Sequence, residues 1–175
     1  MSIRRLFAAL ALATLIAPAL ADTLQDGIAA ANRKDYPAAI RLLEPPARAG
    51  NAIAQLRLGL LHYHGHGVRE SDAQALMWFE RAARQGLAEA QFHLGNMYAY
   101  GLADPGGDTD PGRLAAQWMF EAARQGHAEA QYSLGIMFLT GKGVQQSPEE
   151  ASRWIAKAAA QGHADAKAYL QGQVR

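Results

Sequence analysis

Three histidines, His62, His64 and His66, lie within five residues and are the side chains best suited to bind a metal ion. Imidazole nitrogens are common ligands of zinc and copper. Residues two apart on a helix point to different sides, so His62 and His64 would not converge on one ion. The chain has no cysteine that could complete a ligand shell. We therefore expect no metal and no other cofactor, and we keep the histidine triplet as the metal-binding alternative.

A second group of potential ligands is the acidic stretch from Asp104 to Asp110, which carries three carboxylates within seven residues. Hard cations such as calcium prefer carboxylate oxygens, but no glutamate closes this stretch as one closes the twelve-residue calcium loop. Asp110 precedes Pro111, a pair typical of a helix N-cap and the first helical position. We expect an acidic surface loop that offers a secondary contact for a partner.

Enzyme motifs are absent from the sequence. It contains no S-x-x-K acylation motif, no G-x-S-x-G nucleophile turn, no H-E-x-x-H zinc site and no phosphate-binding G-x-x-x-x-G-K-[ST] loop. Ser71 and Ser147 fit helix caps better than nucleophiles. We predict that the protein is not an enzyme. The alternative, a hydrolase of cell-wall or β-lactam-like small molecules, would need a general base, which only the histidine triplet offers.

Residues 1–21 have the composition of a cleavable signal peptide. Arg4 and Arg5 give a positive start, an apolar run follows, and Ala19-Leu20-Ala21 resembles a cleavage site. The apolar run is too short to cross a membrane as a helix, which takes about 20 residues. We expect export by the general secretory route, rather than the twin-arginine route, and a periplasmic or secreted product without a stable membrane anchor.

Charge and cysteine content narrow the class of protein further. The net charge of +1 falls to −1 when the two arginines of the leader are removed, which excludes the strongly basic surface of a nucleic-acid binder. An exported chain without cysteine forms no disulfide, so packing must supply its stability. Apolar residues make up 50% of the chain, enough for a sizeable core.

The chain repeats itself three times. The blocks 51–86, 87–126 and 127–162 align with a period of 36 residues, and the middle block carries a four-residue insertion. Each block closes with Gln-Gly. The residues that recur at equivalent positions are Gln55, Gln91 and Gln131; Gly59, Gly95 and Gly135; and Trp78, Trp118 and Trp154. Such an interval indicates stacked units of two helices.

Each block is predicted to form a helix pair. In the first helix, apolar residues three and four apart give one buried face, and small Ala and Gly sites let neighbouring backbones approach. Glycine-rich turns follow at Gly65–Gly67 and Gly141–Gly143. The second helix begins with a capping box at Ser71–Gln74 or Ser147–Glu150 and ends at the Gln-Gly glycine.

The two ends of the chain depart from the repeat. Residues 22–50 are predicted to form a degenerate helix pair, with helices at 24–33 and 37–49. Residues 163–175 are predicted to form a lone capping helix. Unequal end units are expected in a repeat array, because a terminal unit needs a polar outer face.

The recurring residues resemble the Sel-one-like repeat family, a relative of the tetratricopeptide repeats. The family pattern is A-x-A-Q-x-x-L-G-x-x-Y-x-x-G-x-G-V followed by W-x-x-x-A-A-x-Q-G. Residues 128–144 match it closely with Phe138 in the tyrosine position, residues 52–68 match with His62 there, and the middle block keeps Tyr98 but loses the glycine turn. The resemblance implies an all-α fold, a right-handed α/α superhelix (solenoid) of antiparallel helix pairs, and a role as an adaptor or scaffold between proteins.

By analogy with tetratricopeptide repeats, the first helices line a concave groove. Aromatic and aliphatic side chains there would anchor a peptide or a partner helix from the cell envelope. The alternative for each of these side chains is burial between repeats. The predicted groove residues are Leu56, Leu60, Tyr63, His64, Phe92, Asn96, Tyr100, Tyr132, Ile136 and Leu139, with Ile53, Glu89, Ala99, Glu129 and Thr140 at the remaining positions. The sequence thus predicts a periplasmic protein-binding scaffold and leaves its oligomeric state open.

Overall fold

The computed structural model describes residues 23–172, and every regular element among them is a helix, which confirms the predicted all-α class. The predicted signal peptide, residues 1–21, lies outside the described residues, as do residues 173–175. The helices are α1 (residues 23–32), α2 (Tyr36–Arg48), α3 (Ala52–Tyr63), α4 (Asp72–Arg84), α5 (Ala88–Ala99), α6 (Pro111–Arg124), α7 (Ala128–Thr140), α8 (Pro148–Ala160) and α9 (Ala164–Gly172). None of these helices within residues 23–172 has the length and apolar character needed to cross a membrane.

The chain divides into two compact units, one ending at Ala75 and the other beginning at Leu76. In the first unit, α1 lies close against α2, because Gly27 presents no side chain where a Cβ would lie 2.8 Å from Leu43. The next helix, α3, begins where the side chain of Asn51 accepts a hydrogen bond of 2.9 Å from the backbone N–H of Ala54. The two predicted N-terminal helices are therefore present, and the first block starts directly after them.

In the second unit, α5 pairs with α6 and α7 pairs with α8 as antiparallel hairpins. The glycine of each Leu-Gly pair makes the close contact between the two helices. A Cβ on Gly95 would lie 3.2 Å from the carbonyl oxygen of Ala115, and a Cβ on Gly135 would lie 2.5 Å from Ile155. The prediction that small residues let the helix backbones approach is confirmed at both sites.

The predicted helix boundaries are also confirmed. Pro111 and Pro148 each occupy the start of a second helix, where the missing N–H of proline costs no hydrogen bond. The glycines that end the second helices, Gly86, Gly126 and Gly162, all have positive φ angles, between +87° and +100°. Residues with side chains rarely adopt that conformation, which explains why each block closes with glycine.

The capping boxes are only half formed. The hydroxyl of Ser147 accepts a hydrogen bond of 3.3 Å from the backbone N–H of Glu150, as predicted. The expected return contact from Glu150 is wrong, because the backbone N–H of Ser147 donates instead to the carbonyl oxygen of Phe138 at 2.9 Å. The carboxylate of Glu150 accepts from Arg153 at 2.8 Å. The serine thus ties the start of the second helix to the end of the first.

A buried glutamine recurs near the start of each first helix. Its side-chain amide donates to a backbone carbonyl in the last turn of the preceding helix, at 2.9 Å from Gln55 to Ala47. The equivalent bonds measure 3.2 Å from Gln91 to Ala83 and 3.0 Å from Gln131 to Ala123. The same carbonyls also accept the backbone N–H of the glycine that ends the helix, at 2.9 Å from Gly86 to Ala83 and 3.0 Å from Gly126 to Ala123. The glutamines therefore add a second hydrogen bond, which ties the start of one first helix to the end of the preceding helix.

Candidate functional site

The predicted groove residues of the first unit differ widely in exposure. Leu56 is only 2% exposed, so it belongs to the core and cannot contact a ligand, contrary to the expectation. Leu60 and Tyr63 are half-buried, and His64 at the C-cap of α3 is exposed. The rings of Tyr63 and His64 meet edge to face with centroids 5.1 Å apart. The accessible part of this surface is therefore the last turn of α3.

The histidine triplet does not converge. The ring of His66 stacks on Tyr36 at 4.5 Å and lies 5.4 Å from the ring of His64. The Nδ1 atom of His62 is buried and has no hydrogen-bond partner, and burial lowers the pKa of this side chain despite the nearby carboxylate of Glu44. Within residues 23–172, no three side chains of the ligating types are placed to hold a metal ion.

The acidic loop uses its carboxylates on its own backbone. Asp104 accepts a hydrogen bond of 2.9 Å from the N–H of Gly106, and Asp110 accepts one of 2.9 Å from the N–H of Gly112. Asp110 is the N-cap of α6, as predicted. Since two of its three carboxylates bind backbone N–H groups, the loop has the structure of a turn followed by a helix cap.

In the second unit, the predicted residues of α5 run from half-buried to fully exposed. Phe92 stacks on His127 with ring centroids 4.7 Å apart, which leaves only part of its surface accessible. Asn96 is half-buried. Tyr100, at the C-cap, is 74% exposed and is the most exposed large apolar side chain among the described residues. An aromatic side chain exposed to this extent offers a large area for burial against a partner at a low cost in conformational entropy.

The predicted residues of α7 are shared between core and surface. Tyr132, Ile136 and Leu139 are half-buried and pack against a cluster formed by Ile155, Ala158 and Ala166. Two residues of α9, Tyr169 and Leu170, pack against the same cluster. For Tyr132, Ile136 and Leu139, the alternative named in the sequence analysis, burial between repeats, is therefore partly correct.

His127 and His163 have a structural role that the sequence analysis missed. The Nδ1 atom of His127 accepts a hydrogen bond of 3.2 Å from the backbone N–H of Ala130, so that the imidazole caps α7. His163 accepts equivalently from Ala166 at 3.3 Å and stacks on Tyr132. Burial lowers the pKa of His127, although nearby carboxylates oppose the shift. An unprotonated Nδ1 is what a cap requires, and the signal was the position directly after Gln-Gly.

A groove of about 570 Å³ lies between α6, α7 and the turn that follows α7. It had not been expected, because the predicted surface lies on the first helices of the repeats. Trp118 lines this groove and is half-buried, whereas the equivalent Trp78 and Trp154 are buried. The full lining is Arg113, Leu114, Ala116, Gln117, Trp118, Phe120, Glu121, Leu134, Phe138, Gly143 and Val144. Trp118 therefore differs in burial from the tryptophans at the equivalent positions of the other two repeats.

The helix pairs, their buried glutamines and their terminal glycines recur in three segments that a family model also detects. The model described as the Sel1 repeat matches residues 52–87, 88–127 and 128–163. The chain belongs to the Sel1 repeat family. The matched segments begin one residue later than the blocks read from the sequence. Sel1 repeats mediate interactions between proteins.

Solved Sel1-repeat structures have the same fold. A Sel1 repeat protein from Oxalobacter formigenes superposes with a TM-score of 0.74 and 34% identity, covering 83% of this chain and 56% of that chain. A protective antigen of uropathogenic Escherichia coli with an SLR fold superposes with a TM-score of 0.78 and 32% identity, covering 86% of this chain and 32% of that chain. Both agreements confirm the resemblance drawn from the repeat pattern.

Curated relatives of the Sel1 family match over shorter stretches. Protein sel-1 homolog 2 of Rattus norvegicus is 37% identical over 70 residues, which cover 39% of this chain and 10% of that protein. The ERAD-associated E3 ubiquitin-protein ligase component HRD3A of Arabidopsis thaliana is 39% identical over 62 residues, which cover 35% of this chain and 9% of that protein. The match thus spans about a tenth of the length of these relatives.

Proposed function

We propose that this Sel1 repeat protein is an exported scaffold that binds a polypeptide of the cell envelope through side chains on its first helices. The observation that carries the proposal is Tyr100, an aromatic side chain 74% exposed at the end of a first helix in a family of interaction repeats. Aromatic side chains bury a large area on binding and lose little conformational entropy. That combination makes Tyr100 suited to be an anchor for a partner.

The side chains near Tyr100 on the same helix support this assignment. Asn96 lies four residues earlier in the sequence, on the same side of α5, and is half-buried, so part of its surface is accessible. An apolar anchor flanked by accessible polar groups is the usual anatomy of a protein interface. In the first unit, the exposed His64 occupies the equivalent C-cap of α3 and is the matching contact candidate there.

The composition of residues 1–21 and one of the relatives support the rest of the proposal. A positive start, an apolar run and an A-x-A site are the features that direct a chain to the secretory pathway. The Arabidopsis relative is named as a component of a ubiquitin-ligase complex, an example of a Sel1-related protein that works within an assembly. We therefore propose that the present chain works in the periplasm, in a complex with a polypeptide of the cell envelope.

The binding proposal is tested by affinity capture from envelope extract with wild-type protein and with Tyr100→Glu. Glutamate at this exposed position adds a charge without disturbing the core, so the melting temperature stays unchanged and the captured partner is lost. Ala156→Glu is the matched control, because Ala156 is exposed on the second helix α8. Equal capture of the same partner by wild type and Tyr100→Glu would contradict the assignment.

The export proposal is tested separately by cell fractionation and N-terminal sequencing of the mature protein. We expect the protein in the periplasmic fraction with Asp22 as its first residue. Replacement of Leu10 and Leu12 by glutamate interrupts the apolar run, and it should leave the uncleaved chain inside the cell. A full-length chain recovered from the cytoplasm of wild-type cells would refute export.

A further inference from the structure

The groove between α6 and α7 has the size and lining of a small-molecule site. Its volume of about 570 Å³ lies within the range of about 300–1,000 Å³ that such sites occupy. Its walls are mainly apolar and aromatic, formed by Leu114, Trp118, Phe120, Phe138 and Val144. Mostly apolar walls with few polar groups are typical of sites that bind small organic molecules.

Comparison with the next repeat shows that this lining is not a general property of the fold. Leu114 and Phe120 of α6 correspond to Glu150 and Ala156 of α8, counted from the repeat tryptophan. On α8 the face is charged, and Arg153 pairs with Glu150 at 2.8 Å. The second repeat therefore carries two large apolar side chains where the third carries a glutamate and an alanine, although both have the same backbone pattern.

The walls of the groove are held in place by neighbouring residues. The ring of Phe120 meets the buried ring of Trp154 edge to face, with centroids 5.8 Å apart. At the other side, Gly143 lies directly against the backbone of Gly112, a contact that no side chain would permit. A site whose walls are already fixed loses little entropy when a ligand enters.

One cation at the edge of the groove has no described partner. Arg113 lines the apolar groove and also an adjoining polar hollow of about 350 Å³. The other charged groups nearby are engaged, since Glu121 pairs with Arg124 at 3.6 Å and Asp110 caps α6. Among the described residues, Arg113 makes no ion pair and is exposed, so its guanidinium is available to an anion.

From these observations we propose that the groove binds a small amphiphilic carboxylate, with its apolar body along Trp118 and Phe120 and its carboxylate at Arg113. Guanidinium groups bind carboxylates through paired, charge-assisted hydrogen bonds, so the arginine selects an acid over an amine of equal length. The lining of the groove includes neither Tyr100 nor Asn96, and the proposal does not depend on the proposed scaffold function.

The test compares decanoate with decan-1-amine, two probes of equal chain length and opposite charge, below the concentrations at which they form micelles. The chain has three tryptophans, and their indole N–H signals can be assigned by nuclear magnetic resonance with Trp118→Phe. We expect decanoate to shift the signal of Trp118 and to bind at least about tenfold more tightly than the amine, as expected for a charge-assisted contact.

Two variants locate the site, and one serves as a control. Arg113→Gln should abolish the preference for the acid while leaving the melting temperature unchanged, since Arg113 is exposed. Leu114→Glu introduces the residue of the third repeat and should abolish decanoate binding. Arg153→Gln removes an arginine from α8 and should keep both affinity and preference.

Three results would overturn the proposal. The first is an unmoved Trp118 signal at all concentrations of decanoate, and the second is equal affinity for acid and amine. The third is an unchanged preference for the acid in Arg113→Gln, or its loss in Arg153→Gln, which would show that overall charge is responsible. Capture of a partner through Tyr100 is unaffected by any of these results, so the two proposals fail independently.

Discussion

Nε2 of Gln125 donates a hydrogen bond of 2.7 Å to Oε1 of Gln91, and Nε2 of Gln91 donates in turn to the carbonyl oxygen of Ala83. The same chain of bonds recurs one repeat later, from Gln161 through Gln131 to Ala123. Gln91 and Gln131 thus each join the ends of two second helices to the first helix that lies between them. The glutamines that recur in the sequence therefore form the polar connections between successive repeats.

Replacing the buried glutamine should therefore destabilise the fold. Gln131→Ala removes two hydrogen bonds, the one donated to the carbonyl of Ala123 and the one accepted from Gln161. At about 0.5–1.5 kcal/mol for each bond, a loss of about 1–3 kcal/mol in the free energy of unfolding is expected. Urea unfolding measures it. Gln145→Ala, at an exposed position in the turn before α8, is the control and should change the stability by less than about 0.5 kcal/mol. Equal stabilities of both variants would show that the connection contributes nothing.

The close contact at Gly135 leads to a second stability prediction. Gly135→Ala places a methyl group against Ile155 and near the carbonyl oxygen of Ala151, so overpacking should cost about 1–3 kcal/mol although alanine favours helix. Thermal unfolding measures the loss. Gly172→Ala, in the last turn of α9 with open space around it, is the matched control and should not destabilise. An unchanged melting temperature for Gly135→Ala would contradict the close pairing of α7 with α8.

The fold could be predicted from the sequence because its determinants are local and repeated. Pro148 marks a helix start, Gly162 requires a positive φ angle, and Gly135 marks a close contact between helices; each acts at its own position. By contrast, no residue near Ser147 in the sequence indicates that the expected contact from Glu150 to the backbone N–H of Ser147 is absent. The N–H of Ser147 is taken by the carbonyl of Phe138, a contact set by how the first helix ends.

The tryptophans give a prediction that separates core from groove. Trp154 is buried between Phe120 and the ammonium group of Lys157, which lies 4.0 Å from its ring centroid. Trp154→Ala should cost about 3–5 kcal/mol, the range for large aromatic residues in a core. Trp118→Ala should cost less, because Trp118 is half-buried at the groove. Chemical unfolding of the two variants measures the order, and the reverse order would contradict the assignment of Trp118 to the groove.

The cap formed by His127 makes the stability depend on pH. Burial lowers the pKa of His127 in the folded state below its ordinary value of 6.5, although Glu129 and Glu89 oppose this shift. Below about pH 6.5, the unfolded chain binds a proton that the folded chain does not. The free energy of unfolding should therefore be largest above pH 6.5 and should decrease as the pH falls through the folded-state pKa.

His127→Asn is the variant that tests this dependence. Asparagine is a good N-cap and does not titrate, so α7 stays capped while the proton linkage of this residue disappears. Unfolding measured at about pH 7.5 and about pH 5 should show a smaller loss in the variant than in the wild type. The pKa of His62 is also lowered by burial, so part of the dependence remains. Identical losses in both proteins would refute the role of His127.

The binding surfaces were harder to predict than the fold, and Leu56 and Phe120 show why. Leu56 lies at a repeat position associated with ligand contacts, but exposure depends on what packs against a side chain, and this one is buried. The role of Phe120 could not be predicted from residues shared between the repeats, because the third repeat has Ala156 at the equivalent position. The groove is lined by side chains that differ between the second and third repeats. In the sequence, these side chains are visible only as positions where the repeat pattern is not kept.

The glutamine connections have a consequence for how such a chain changes its length. Both junctions between successive repeats in the second unit use the same bond, from the buried glutamine of a first helix to a carbonyl at the end of the preceding second helix. Duplicating a segment from one Gln-Gly to the next would create a junction already present in the chain. The four extra residues of the middle block lie in the loop before α6, away from these bonds. Evolution can therefore change a loop that contacts partners without changing the number of repeats, and it can change the number of repeats without changing the loops.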